Sequence, residues 1–226
     1  MTSKPQDLAP GEYLSPTEYI DAAHPQVRAF AEDAARGAQT PIGVARALYA
    51  AVRDAIRYTP YADLTDRESY RASSCLAAGR GYCVAKAALL AASARHLGVP
   101  ARIGLADVRN HLTSVRLREL MDSDVFYYHG FAELYLEDRW VRVTPTFDAR
   151  LCRRLNVSLL EFDGRHDALF HRYNSAGQQY MEYLRYHGSW QDVPVEMLMT
   201  EMRRLYPRMA ATAPVDADFA AEARSA

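Results

Sequence analysis

The sequence is poor in cysteine and carries almost no net charge. Its 226 residues include only Cys75, Cys83 and Cys152, an odd number and too few for a disulfide framework in a chain of this length. The formal net charge of −1 gives no general attraction to nucleic acid, and no long basic run supplies a local one. These features exclude a disulfide-stapled domain, and we expect no nucleic-acid partner.

Long apolar runs and metal-binding motifs are also missing. No stretch approaches the roughly 20 apolar residues of a membrane-spanning helix, and the polar residues 1–7 lack the apolar segment of a secretory signal. The seven histidines show neither HExxH nor zinc-finger spacing, and no CxxC pair occurs. We therefore expect no membrane partner, no metal, no cofactor and, by default, a cytoplasmic location.

The patterns that are present predict an α+β fold. Apolar residues make up 49% of the chain and charged residues 24%, as in ordinary globular proteins. Start signals and apolar periodicity predict four helices before residue 100, at 15–18 onward, 25–36, from Thr40 onward, and from Cys83 to Gly98. Strands are predicted afterwards at 101–108, 125–136 and 140–144, the last two as a hairpin that turns at 137–139.

The length of the chain suits one large domain, and we treat residues 1–226 as such. A helical extension covers residues 1–39, the core covers 40–150, and a C-terminal extension with a terminal amphipathic helix covers 151–226. Neither an internal repeat nor a long linker divides the sequence.

Cys83 is the strongest candidate for a reactive residue. It opens an Ala- and Leu-rich helical run directly after the turn at 79–81. A helix N-terminus carries roughly half a positive charge, which favours the thiolate over the thiol. A cysteine in this setting is more often a small core residue, so a catalytic role needs further support. Cys75 and Cys152 lack such a setting and are predicted to be buried thiols.

A histidine and a carboxylate follow at positions that suit a nucleophilic site. His129 lies in the strand-like segment 125–136, and Asp148 lies just beyond the predicted hairpin. A cysteine on a helix, a histidine on a strand and a carboxylate beyond it form an arrangement for nucleophilic acyl transfer. In such a site the histidine activates the thiol and the carboxylate orients the imidazole. The chain is therefore a candidate enzyme.

Segments around these residues resemble the transglutaminase-like superfamily, whose members have a papain-like fold. The matching pieces are Gly81-x-Cys83, 94–102, 129–135 and 140–145, and the resemblance covers roughly residues 40 to 150. It implies helices packed on a twisted antiparallel sheet, with the nucleophile at a helix N-terminus. Carried over by position, it implies Cys83 as the nucleophile and His129 as its general base.

The chain departs from that family at the third catalytic position. The family usually has a carboxylate directly before the proline of the last segment, and this chain has Thr144 there. Asp148 is the predicted replacement. A turn centred on residues 138 and 139 would place His129 opposite 148, and a turn one residue earlier would place it opposite 146. Glu133 shares the His129 face but lies about 13 Å along the strand, too far to orient it.

The resemblance implies a reaction through a thioester. A Cys83 thiolate, paired with protonated His129, attacks an amide carbonyl, and water or an amine resolves the thioester. We predict a peptidase or amidase that acts without a cofactor on a peptide, a protein or a small amide. Two alternatives remain: an acyltransferase of the transglutaminase or arylamine N-acetyltransferase type, and an inactive binding module on the same fold, which the Thr144 substitution keeps open.

Overall fold

The computed structural model describes residues 8–111, 113–174, 176–211 and 219–222 of the chain. Within these ranges the helices are α1 (Pro25–Ala34), α2 (Pro41–Ala55), α3 (Ala72–Ala78), α4 (Cys83–His96), α5 (Val115–Met121), α6 (Ala149–Leu155), α7 (Val195–Leu205), α8 (Pro207–Ala211) and α9 (Phe219–Glu222), with 3-10 turns at Pro10–Leu14 and Arg67–Tyr70. The strands are β1 (Arg57–Tyr58), β2 (Arg80–Gly81), β3 (Ala101–Asn110), β4 (Val125–Leu136), β5 (Arg139–Val143) and β6 (Met181–Trp190).

None of the helices α1 to α9 is long and apolar enough to cross a membrane. The mixture of helices and antiparallel strands confirms the predicted α+β class.

Four strands form an antiparallel sheet in the order β5-β4-β3-β6. The hairpin between β4 and β5 pairs Leu136 with Arg139, so its turn consists of residues 137 and 138. Both turn residues have positive φ angles, 47° and 61°, as in the turns whose twist matches that of a hairpin. Of the two predicted registers, this is the one that aligns His129 with position 146, although β5 itself ends before that point.

Helix α4 is the central element of the core. Its residues from Cys83 to Arg95 are all buried, and it packs against α1, α2, α3, β3 and β4. Alanine is its commonest residue, and small side chains allow the neighbouring backbones to approach closely. The first turn of α4 touches β4, so the fold sets Cys83 against the strand that carries His129.

Three of the predicted helices are confirmed as α1, α2 and α4. The start of α2 follows the expected capping rule, because Thr40 Oγ1 accepts a hydrogen bond of 3.1 Å from the Gly43 N–H. Helix α4 begins at Cys83 and is followed by Gly98 in the left-handed region, with a φ angle of 80°. The amphipathic helix predicted near the C-terminus is confirmed as α7.

The helix predicted to begin at residues 15–18 is wrong. Ser15 is extended and ends a short 3-10 turn instead of starting a helix. The N–H groups of Tyr19 and Ile20 donate to the Asp192 carboxylate at 3.2 and 3.0 Å, far along the chain. A distant acid therefore takes donors that a helix would have used, and residues 15–24 stay irregular.

Strand β6 and helices α3 and α6 are absent from the sequence prediction. Strand β6 lies at an edge of the sheet, and its middle residues, 184–186, are exposed. The apolar alternation that identifies a half-buried strand is therefore weak there. The two helices have seven residues each, too few to show a clear helical periodicity of apolar residues.

Candidate active site

The first turn of α4 places the thiol of Cys83 among backbone donors. The N-cap residue, Tyr82, is extended and provides no side-chain acceptor for the first N–H groups of the helix. The backbone N–H groups of Cys83 and Val84 act electrostatically on the Cys83 sulfur instead, together with the Gly130 N–H from β4. These three donors lower the pKa of the thiol, although burial has the larger opposite effect.

Gly130 allows β4 to lie directly on this helix end. A Cβ atom at Gly130 would lie only 2.7 Å from Val84 Cα and 3.0 Å from Val84 N. Real Cβ atoms do not come so close to backbone, so only glycine permits this contact. The close approach brings the residue before it, His129, to the cavity that Cys83 lines.

A clamp on the sheet fixes the backbone immediately before His129. Tyr128 has a φ angle of 55°, unusual for a bulky residue, at an irregularity where β3 and β4 shift register around Asp107. The Asp107 carboxylate accepts the Tyr128 N–H at 3.1 Å and contacts His187 Nε2 at 2.7 Å. The Tyr128 and His187 rings stack with centroids 4.2 Å apart. Asp107 and His187 therefore hold the bend from which His129 projects.

The His129 imidazole contacts Thr144, and the Asp148 carboxylate is engaged elsewhere. His129 Nε2 lies 3.4 Å from Thr144 Oγ1. Asp148 is the N-cap of α6 and accepts the Leu151 N–H at 2.9 Å and the Tyr58 N–H at 3.3 Å. The sequence prediction that Asp148 orients His129 is not supported by these contacts.

Glu133 takes no part in the site, as its distance along the strand predicted. Its carboxylate accepts hydrogen bonds from Arg102 Nε at 2.5 Å and from the Ser189 hydroxyl at 2.6 Å. Arg142 lies 3.3 Å from its other oxygen. This buried acid therefore joins β3, β4, β5 and β6.

Cys83 and His129 line one small cavity of about 50 Å³. Around them the wall consists of aromatic and aliphatic residues, Tyr58, Pro60, Leu64, Tyr70, Tyr82, Val84, Leu117, Met121, Phe126, Tyr127, Tyr128, Leu198, Met202, Tyr206 and Met209. No charged side chain is found among the described residues of this wall. Within the described ranges, no cluster of His, Cys, Asp and Glu is arranged to hold a metal ion.

Burial in this cavity favours the neutral forms of both groups. It raises the pKa of the Cys83 thiol to about 11 and lowers the pKa of His129 to about 3. At neutral pH the cavity therefore holds a thiol and a neutral imidazole. The thiolate–imidazolium pair expected from the sequence is disfavoured in this closed arrangement, because burial removes water from both charges and no charged side chain among the described lining residues offsets that loss.

The C-terminal helices close the cavity. Leu198 and Met202 on α7 and Tyr206 after it line the same cavity as Cys83. The Tyr206 hydroxyl donates to the Val125 carbonyl at 2.8 Å and accepts the Tyr127 N–H at 2.6 Å. The sequence shows the apolar stripe of α7, but it does not show which part of the fold the stripe packs against, because apolar periodicity identifies a buried face and not its neighbour.

Substitutions of Asp148 test its two possible roles. We expect Asp148→Ala to lower the free energy of unfolding by about 1 kcal/mol through loss of the α6 cap, and Asp148→Asn to lower it less. Both variants should keep the alkylation rate of Cys83 by iodoacetamide, because Asp148 does not touch His129. Denaturant unfolding and mass spectrometry of the alkylated peptide measure the two effects. A large rate loss in Asp148→Asn, with the fold intact, would restore Asp148 as the orienting group.

A comparison with known protein families supports the resemblance that the sequence suggested. A family model described as the transglutaminase-like superfamily matches residues 28–145, 118 of the 226 residues. No curated protein matches the chain. A solved structure, described as a "putative cysteine protease from Cytophaga hutchinsonii", is 16% identical, with a TM-score of 0.47. The similarity covers 80% of this chain and 55% of that one, so this chain spans little more than half of its length.

Proposed function

Since the chain belongs to the transglutaminase-like superfamily, we propose that it is a cysteine hydrolase that cleaves an amide through a thioester on Cys83. One observation carries the proposal: Cys83, at the start of a buried helix, and His129 line the same cavity. The thiol also lies among three backbone N–H donors, which is the setting that acyl transfer needs.

In this mechanism the reaction starts from neutral partners. The His129 imidazole takes the thiol proton as the Cys83 sulfur bonds to the substrate carbonyl carbon, and the carbonyl electron pair moves onto oxygen. Backbone N–H groups near the sulfur, those of Cys83 and Gly130 among them, stabilise the developing negative charge. The tetrahedral intermediate collapses, its carbon–nitrogen bond breaks, and the imidazolium returns the proton to the leaving amine. Attack of water on the thioester then regenerates the thiol.

The cavity favours water over an amine as the final acceptor. A lysine ammonium entering it would lose its hydration and find no carboxylate among the described lining residues. A volume of about 50 Å³ holds a water molecule or a small apolar group. We therefore favour hydrolysis of a peptide or small amide whose group next to the scissile bond is apolar and uncharged.

Acylation by 4-nitrophenyl acetate tests this function. We expect a burst of 4-nitrophenolate and an acetyl group on the peptide that contains Cys83, released by hydroxylamine as a thioester is. Cys83→Ala should abolish both signals, and His129→Ala should slow acylation about 10²- to 10⁴-fold, because general-base catalysis is lost. Cys152→Ala is the matched control, since Cys152 is also a buried thiol but does not line the cavity.

The same assay separates the proposed hydrolase from its alternatives. Release of acetate into water, with no gain in rate from added amines, supports the hydrolase. Faster turnover with an amine acceptor, or stable acetylation from acetyl-CoA, would instead indicate an acyltransferase. A folded protein whose Cys83 is neither acetylated nor alkylated faster than a free thiol would be a binding module.

A further inference from the structure

We propose that the Thr144 hydroxyl positions His129, so that a neutral side chain stands where related enzymes carry a carboxylate. This inference rests on the proposed function of Cys83 and His129. It concerns which nitrogen of the imidazole carries the proton, and therefore which nitrogen is free to act as the base.

Thr144 is held firmly enough to orient a neighbour. Only 1% of its surface is exposed, and its N–H donates to the Ala168 carbonyl at 2.9 Å. Its hydroxyl oxygen is 3.4 Å from His129 Nε2, a long hydrogen bond of the kind that tightens when a substrate binds. The Phe170 ring packs against the imidazole with centroids 5.2 Å apart and limits its rotation.

The direction of the hydrogen bond follows from what the other ring nitrogen must do. The Thr144 hydroxyl can either donate or accept a hydrogen bond. Because Thr144 contacts Nε2, the ring nitrogen left for the thiol proton is Nδ1. A neutral imidazole whose Nδ1 is free carries its proton on Nε2, and Nε2–H then donates to Thr144 Oγ1.

The nearby carboxylates have other partners. Asp148 caps α6, Glu133 binds Arg102 and Ser189, and Asp107 binds His187 and the Tyr128 N–H. Burial lowers the pKa of His129, and the hydrogen-bond partner of its Nε2 is the neutral Thr144 hydroxyl. An imidazolium here gains a counter-charge only from the thiolate or the oxyanion. A hydroxyl at position 144 thus fixes the tautomer and leaves the resting pair neutral.

The experiment combines three substitutions of Thr144 with two measurements. Thr144→Val keeps the shape and removes the hydroxyl, Thr144→Ser keeps the hydroxyl, and Thr144→Asp restores a carboxylate. Nitrogen NMR of ¹⁵N-histidine-labelled protein reports the tautomer of His129, which is assigned by its loss in His129→Gln. Burst kinetics with 4-nitrophenyl acetate and the pH dependence of iodoacetamide alkylation report reactivity.

We expect a protonated Nε2 in the wild type and in Thr144→Ser, and a loss of that preference in Thr144→Val. Acylation should fall about 10- to 100-fold in Thr144→Val, as for other residues that orient a functional histidine, and Thr144→Ser should retain most of the rate. In Thr144→Asp, alkylation of Cys83 should begin at a lower pH, because the new carboxylate stabilises the imidazolium and hence the thiolate.

A proton on Nδ1 in the wild type, or a Thr144→Val variant with unchanged tautomer and rate, would overturn the proposal. Equal losses in Thr144→Val and Thr144→Ser would overturn it too, since they would point to packing instead of the hydroxyl. The tautomer is measured without turnover. A protein that forms no acyl-enzyme but shows the expected tautomers would therefore contradict the proposed hydrolase and support the role of Thr144.

Discussion

Replacing Gly130 with alanine is expected to abolish acylation of Cys83 and to destabilise the protein. The added Cβ would lie 2.7 Å from Val84 Cα and 2.8 Å from Val84 Cγ2, so either α4 or β4 must move away. Overpacking of a tight core costs about 1–3 kcal/mol of unfolding free energy. A shift of about 1 Å between a nucleophile and its base costs about 100-fold in rate, and here it also withdraws the Gly130 N–H from the sulfur.

Gly104→Ala is the control for Gly130→Ala. A Cβ at Gly104 would overlap the Phe131 ring within the same sheet, and its three nearest atoms all belong to that ring and not to α4. We expect a comparable loss of stability in urea and a rate of acylation close to that of the wild type in the folded protein. If Gly130→Ala acylates as fast as Gly104→Ala at equal stability, the contact between β4 and the α4 start does not align the site.

The sequence predicted those elements of the candidate site whose formation depends on local signals. The turn at 79–81 and the Ala-rich run after it locate the start of α4, and therefore Cys83, without any tertiary information. The hairpin of β4 and β5 is likewise local, because a two-residue turn with the right backbone angles fixes the pairing. The close approach of Gly130 to Val84 could not be read in this way, since it joins segments 46 residues apart.

The partner of His129 depended on contacts that local patterns do not fix. Asp148 was the reasonable choice by spacing, yet the chain turns after Pro145 and uses Asp148 to start α6. The sequence does carry that signal, since an aspartate before a helical run is a good N-cap. Strand β6 brings Tyr183 close to His129 by pairing with β3, some 70 residues earlier. An edge strand with little apolar alternation does not allow such a pairing to be predicted from the sequence.

A buried lysine gives the second large expected effect. Lys86 lies one turn after Cys83 and is completely buried. Its ammonium donates to the Arg53 carbonyl at 2.9 Å and to the Ile56 carbonyl at 2.5 Å, at the end of α2. The chain has only two lysines, Lys4 and Lys86, beside 25 arginines. Burial lowers the pKa of Lys86 to about 8, and Asp148 opposes the shift.

We expect the unfolding free energy of the wild type to rise relative to Lys86→Met as the pH increases from about 8 to 10.5. In this window the folded chain has released the Lys86 proton while the unfolded chain still binds it, so raising the pH favours the folded state. A shift from 10.5 to about 8 corresponds to about 3 kcal/mol, reached when the lysine is neutral in both states. Below pH 8 both states are protonated and the difference is constant.

Urea unfolding of the wild type and of Lys86→Met at several pH values measures this difference. Cys83 and the buried tyrosines also titrate, but they are present in both proteins, so their contributions to the free energy of unfolding cancel in the difference. Lys86→Arg is the informative control, because a guanidinium stays charged throughout the range and should show no such rise. Carbon NMR of lysine labelled at Cε follows the titration directly, since only one of the two lysines is buried in α4. A flat difference between pH 8 and 10.5, with Lys86 titrating near its ordinary pKa, would show that water reaches the ammonium and that the end of α2 opens beside α4.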